Sequence, residues 1–297
     1  MRFLLLGIGL FLSCEPSAAS FAGDSKGNGH AMQKGERLLV LGPSTVETLF
    51  AVGLGYRIVG VSDYCQAPAA AGIPRVGGIL NPNLERITAL NPDYLFVQGH
   101  HRGLQNLAEQ QSIPYRETRA DSLEDWFSFV RHLDKQFGQT KGEALIQVIQ
   151  KELNLVTQTA PKNAPSVLLV IGRQSDAAVG LTVSGPHTFL ASLLTLAGGE
   201  LVPNTESAPD WYSLSEEGLF QIKPDIILEC GPIPTQPHFT PLQLWQDAYP
   251  ALPAVKNKRV FSLSNPSVTI PGSKVSQTAT LIQECLLYEF AETVPEK

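Results

Sequence analysis

The residues best equipped for chemistry are few and scattered. His100 and His101 close an apolar run, Tyr94-Leu-Phe-Val97, that reads as a buried strand, and functional side chains collect at strand ends. With His187 or His238 they have the chemistry to hold a metal, but no Cys/His spacing of a known metal site accompanies them, and solvated loop histidines are the simpler reading. Cys65 has the chemistry of a ligand or a reactive thiol, against the default of a partly buried, inert cysteine. Nucleophile-elbow, P-loop, H-E-x-x-H and Rossmann glycine signatures are all missing, and Gly53-Leu-Gly55 follows a predicted helix rather than a strand. What remains is aromatic. Tyr64, Trp211 and Tyr212 sit beside small polar residues, a combination that suits a flat or bulky organic ligand.

Two carboxylates stand out by position. The stretch Asn83 to Val97 is echoed by Ser215 to Glu229 at a constant offset of 132 residues. Glu85 falls on Glu217, Ile87 on Leu219, Leu90 on Ile222, Pro92 on Pro224, Asp93 on Asp225 and Leu95 on Ile227. Each copy reads as a short helix, a Pro-Asp turn and a buried strand, because proline cannot continue the helix. Asp93 and Asp225 are turn formers. Glu85 and Glu217 lie in the first turn of their helices, where the dipole favours an acid. Recurrence in both halves adds a second reading: a symmetric acidic pair fit to dock on a two-fold symmetric, basic partner.

The elements that position these residues alternate strand and helix. Strands are expected at 37–41, 57–61, 93–97 and 113–116, with helices at 46–52, 82–90 and 104–111, and with Ser44 or Thr45 capping the first helix. From 123 to 159 there is no strand signal; two amphipathic helices, 123–137 and 141–159, fill it. Strands return at 166–171, within 225–229 and at 259–263, with helices at 188–197, near 242–248 and at 273–291. Gly185-Pro186-His187-Thr188 echoes Gly42-Pro43-Ser44-Thr45, and 203–213 reads as a loop. The fold class expected is α/β, with two Rossmann-like lobes, each on a mostly parallel sheet, joined by one long rigid helix. The segments are a signal peptide (1–14), a flexible tether (15–35), an N-terminal lobe (36–122), a helical connector (123–160, its backbone helix about 139–159) and a C-terminal lobe (161–297). Ligands of open α/β sheets bind beyond the carboxyl ends of the strands, so both sets of loops can face one cleft.

At 297 residues, 43% apolar and 17% charged, the chain has material for two cores. A net charge of -6 without a basic stripe argues against nucleic acid as the partner. Arg2 and an apolar run from Phe3 to Leu12 read as an export signal, too short to span a bilayer. Ser13-Cys14 then suggests lipidation at Cys14, with cleavage near Ser17-Ala18-Ala19 as the alternative. Cys65, Cys230 and Cys285 remain, enough for one bridge at most.

Taken together, several segments resemble the substrate-binding proteins of bacterial ABC importers for iron–siderophores, haem and cobalamin. They are Leu-Gly-Pro-Ser-Thr-Val-Glu-Thr (41–48), Val-Gly-Val-Ser-Asp-Tyr-Cys (59–65), the run from Arg75 to Ile87, Ser-Gly-Pro-His-Thr-Phe-Leu (184–190), Ala-Gly-Gly-Glu (197–200) and Ile-Pro-Gly-Ser (270–273). The resemblance runs from about 37 to 291 and is strongest to the cobalamin-binding branch. It implies that Glu85 and Glu217 dock on a transmembrane permease dimer. It also implies that Tyr64 and Trp211 fall on aromatic ligand-contact positions; together with the strand-end loops this makes Ser44, Thr45, Tyr64, Gly78, Ile79, Gln98, His100, His187, Trp211 and Asn265 the candidate ligand contacts. The sequence departs from that branch where Ile79 and Gln98 replace tryptophans and where Asn265 or Pro266 replaces an acid. The family's disulfide cannot form, since Ala197 stands opposite Cys285.

The resemblance thus implies a monomeric binding protein of the periplasm or cell envelope, held to the membrane by its lipid alone. It would carry no cofactor and no metal of its own. Its cargo would be a metal chelate, a corrinoid first, with an iron–siderophore or haem as alternatives, passed to an ABC permease. An exported hydrolase or metal-dependent enzyme using His100, His101 and His187 is the competing reading, and an adhesion or scaffold protein a third.

Overall fold

The computed structural model describes residues 37–65, 67–119, 122–231, 233 and 240–288. Cys14, the signal and tether segments, and His238 lie outside them. A first sheet holds β1 (Leu38–Leu41), β2 (Ile58–Val61), β3 (Tyr94–Gln98) and β4 (Tyr115–Thr118), all parallel, in the order β2-β1-β3-β4. Its crossovers contain α1 (Pro43–Ala51), α2 (Leu84–Ala89) and α3 (Arg102–Gln111). β1 is wholly buried, as a continuous apolar run between two helical layers must be. Then come α4 (Leu123–Phe137) and α5 (Lys141–Gln158).

A second sheet follows, made of β5 (Ser166–Gly172), β6 (Leu181–Ser184), β7 (Glu200–Leu201), β8 (Trp211–Leu214), β9 (Ile226–Cys230) and β10 (Val260–Leu263). Its order is β10-β9-β5-β6-β8, with β7 also on β5. Helices α6 (Phe189–Ala197), α7 (Glu216–Ile222), α8 (Pro241–Ala248), α9 (Pro253–Lys256) and α10 (Val275–Leu287) cover it. β7, β5, β9 and β10 pair in parallel and repeat the topology of β2, β1, β3 and β4. The second sheet is mixed, however, because β6 and β8 add an antiparallel ribbon. That ribbon occupies part of the stretch expected to be loop. Trp211-Tyr-Ser-Leu214 alternates exposed and half-buried residues and carries no apolar run to announce a strand.

The duplication is visible atom by atom. Asn83 and Ser215 are N-caps whose side chains accept from the third helical N–H, of Arg86 and Gly218 respectively. Asn91 and Lys223 both take φ 43° ahead of buried prolines, ending the helices. Asp93 accepts from the Arg37 N–H at 3.1 Å and returns its own N–H to the Arg37 carbonyl; Asp225 does the same with Ser166 at 2.9 Å. Each turn aspartate therefore also fixes the start of the central strand of its sheet. The Gly-Pro turns are less alike. α1 starts directly at Pro43, so Ser44 and Thr45 lie inside its first turn and do not cap it, whereas α6 waits for its N-cap Thr188. Proline's fixed φ makes it a natural first helical residue.

α5, 18 residues and about 27 Å long, buries Ile146, Ile149, Leu153 and Val156 in a core shared with strands of both sheets. Polar ties fasten each end. Asp134 accepts from the N–H groups of Gly142 and Glu143, while Gln283 of α10 donates to the Val156 carbonyl at 2.6 Å.

His132 on α4 couples this fold to pH. Burial, and then the Arg116 and Lys135 cations, push its pKa below the ordinary histidine range, and its Nδ1 accepts from Arg116 Nη1 at 3.3 Å. The folded chain therefore keeps the ring neutral where the unfolded chain would protonate it. Stability is full above about pH 6.5 and is lost as pH falls from there toward the lowered folded pKa. Wild type is expected to lose more urea resistance between about pH 7.5 and 5 than His132→Gln. Equal losses in the two proteins would refute this.

Candidate functional site

The carboxyl ends of both sheets open onto one cleft. Its larger cavity, about 570 Å³, is lined by Ser44, Tyr64 and Gln98 from the first half and by Asn265, Thr269 and Pro271 from the second, among others. A second cavity of about 340 Å³ shares Ser44, Gln98, Thr269 and Pro271 and extends past Thr118 to Trp211. Tyr64 (65% exposed) borders one end and Trp211 (41% exposed) the other. These rings offer apolar faces above a floor of hydroxyl and amide groups, and both volumes fall in the range of small-molecule sites.

Local structure explains the floor. Gly42 ends β1 so tightly against Gln98 that a Cβ there would stand 2.9 Å from the Gln98 side chain. The Ser44 hydroxyl crosses the cleft and donates to the Pro271 carbonyl. Thr45, one residue on, turns away and donates to Thr118 Oγ1 at 3.1 Å, supporting the wall from behind. Asn265 accepts from the Ser267 N–H at 2.9 Å, shaping the turn that brings Thr269 and Pro271 to the cavities.

The remaining sequence-derived candidates lie elsewhere. Gly78 is buried behind Tyr64, and neither it nor the half-buried Ile79 lines either of these two cavities. His100 stands off the cleft with its Nδ1 2.6 Å from Glu117. His101 caps α3, its Nδ1 accepting from the Leu104 N–H. His187 bonds the Glu206 carbonyl. Among the described residues no three His, Cys, Asp or Glu side chains converge on a metal position. Cys65, Cys230 and Cys285 are free thiols. Cys65 touches the larger cavity, but burial raises its pKa, and burial pushes Cys230 and Cys285 up to about 12. None of the three carries thiolate character.

Glu85 and Glu217 are exposed, each the second residue of its helix, α2 or α7. The structure thus puts the acidic pair at equivalent helix positions, outside the cleft lining. Sequence reasoning missed Glu47 and Lys274, which also face the larger cavity. Glu47 sits one turn beyond Ser44 on α1, a helical spacing that could have pointed to it. Nothing in the sequence singles out Lys274.

The comparisons with known proteins agree with this geometry. A family model described as periplasmic binding protein matches residues 38–266. The vitamin B12-binding protein of Yersinia pestis (strain Pestoides F) is 25% identical over 258 residues, covering 82% of this chain and 86% of that protein. The periplasmic haem-binding protein of Vibrio cholerae shares the fold with a TM-score of 0.73 at 20% identity, over 85% of this chain and all (100%) of that one. The periplasmic vitamin B12-binding protein of the same organism does so at 0.68 and 19%, over 84% and 96%. These relatives are binding proteins, not enzymes, and the histidine-based enzyme reading has no counterpart among them.

Proposed function

Because the chain belongs to the periplasmic binding protein family, we propose that it captures a metal chelate, a corrinoid before haem or an iron–siderophore, and hands it to an ABC permease. Proteins of this family carry no resident cofactor; the chelate is cargo. The observation that carries the corrinoid reading is the lining of the cleft. Among the described residues neither cavity is lined by a histidine or methionine, the Cys65 thiol is buried, and Tyr64 is the one tyrosine on the lining, an oxygen donor of a kind that ligates haem iron. Glu47 and Lys274 in the larger cavity and Arg119 and Asp210 in the second are charged, but most of the remaining polar lining is Ser, Thr, Gln and Asn, neutral groups that match a chelate whose metal is already coordinated and whose rim presents amides. The curated relatives named for vitamin B12 support the same choice.

The family is periplasmic, and among the described residues no helix is long and apolar enough to cross a membrane. Lipid anchoring at Cys14, a monomeric state, and docking of Glu85 and Glu217 on a permease dimer belong to this proposal. Titration with cyanocobalamin and with haem, followed by absorbance and calorimetry, tests the choice of cargo. Cyanocobalamin is expected to bind stoichiometrically and at least about tenfold tighter than haem, a difference of about 1.4 kcal/mol. Tighter binding of haem would reverse the assignment.

A further inference from the structure

The larger cavity holds two charged groups that the reading above leaves unused, Glu47 and Lys274. Glu47 faces the cleft from α1, in step with Ser44. Its carboxylate is half-buried, and no described residue gives it a hydrogen bond. Its Oε2 lies 3.6 Å from where a Cβ on the buried Gly272 would stand. Lys274 comes from the opposite wall, and its Nζ donates to Ser267 Oγ at 3.2 Å. The two attract one another, yet they do not approach within the 4.0 Å of an ion pair. Burial raises the Glu47 pKa, and the attraction of Lys274 opposes that rise. A half-buried carboxylate that faces a cleft with no donor among the described residues is a place where a ligand can complete the bonding.

The chemistry of the missing partner follows from the two groups. A carboxylate between them would gain from Lys274 and be repelled by Glu47; an ammonium would meet the reverse. A neutral group that donates on one side and accepts on the other satisfies both. Resting on the reading of this cleft as the solute site, we propose that Glu47 and Lys274 form a recognition pair for one primary carboxamide on the solute's rim. Glu47 accepts from its NH₂, and Lys274 donates to its carbonyl oxygen. Charge-assisted bonds of this kind also reject analogues that cannot make them.

The test uses the full chain as wild type, Glu47→Gln and Lys274→Met. The probes are cyanocobalamin and its monocarboxylate isomers, each with one rim amide hydrolysed. Each variant is expected to bind cyanocobalamin about tenfold more weakly than wild type, with an unchanged urea midpoint. For one isomer alone, the wild type's preference for the amide is expected to vanish in Glu47→Gln and to deepen in Lys274→Met. These opposite responses are a signature that loss of structure cannot produce. Unchanged cyanocobalamin affinity in both variants, or the same ranking of isomers in all three proteins, would overturn the pair while leaving the cleft's function standing. If wild type binds no corrinoid, the corrinoid reading falls and the pair falls with it.

Discussion

Glu229→Leu is expected to destabilise the fold by about 3–5 kcal/mol, a large part of the stability of an ordinary domain. Glu229 is the fourth residue of β9, and its side chain is fully buried. There it meets the Arg173 guanidinium in a two-pronged ion pair, with Nε to Oε1 at 2.6 Å and Nη2 to Oε2 at 3.2 Å. The Trp245 indole N–H also donates to Oε1, at 2.8 Å. Removing the carboxylate strands a buried cation and an indole donor together. The size of the loss does not measure the worth of the pair, because desolvating two ions offsets most of their attraction. Arg173→Met/Glu229→Leu is therefore expected to recover most of the loss. A deficit of about 1–3 kcal/mol from the orphaned Trp245 N–H would remain, and adding Trp245→Phe should remove it. Urea unfolding of the single, double and triple variants measures all three steps. A double variant as unstable as the single would show that the damage is steric rather than electrostatic.

What could be read in advance follows from how each element is buried. Parallel strands sandwiched between helices must be apolar throughout, so Leu38–Leu41, Val167–Val170 and Ile226–Leu228 announce themselves. The duplication was legible because the same contacts recur, with Ile87 and Leu219 under their helices and Asp93 and Asp225 at their strands. The β6–β8 ribbon was not legible: it is short, it lies at a sheet edge and it alternates with polar residues. The site was legible in part. Tyr64 and Trp211 are conspicuous as aromatics, and Ser44, Gln98 and Asn265 follow from the strand-end rule and the resemblance. Lys274 was not, because it reaches the cavity through a turn that follows β10, and the pairing of that turn with α1 is a tertiary fact. The strand-end rule also points to His100 and His187, which do not line either cavity. Both sit at strand ends, yet each spends a ring nitrogen on a neighbour outside the cavity.

Glu85→Ala/Glu217→Ala is expected to reduce solute uptake in cells by at least about 100-fold, while ligand affinity stays within about twofold of wild type. Both carboxylates are exposed, and neither lines the cleft. As second residues of their helices they add at most about 1 kcal/mol each through the dipole, so the fold should survive their loss. The single variants are expected to differ, because the settings around the two acids are not the same. On α2 the neighbours are Leu84 and Arg86, so Glu85→Ala leaves a net positive charge facing a basic partner. On α7 the neighbours are Glu216 and Gly218, so Glu217→Ala leaves one carboxylate in place. Glu216 accepts from the Tyr249 hydroxyl at 3.2 Å, which holds it to the same helix end. Glu85→Ala should therefore impair uptake more than Glu217→Ala, and the gap should narrow as salt screens the Arg86 charge. Uptake assays on the two singles and the double, each paired with a ligand titration, decide the matter. Loss of ligand affinity in the double variant would return these residues to a structural role, and undiminished uptake would remove them from the docking surface.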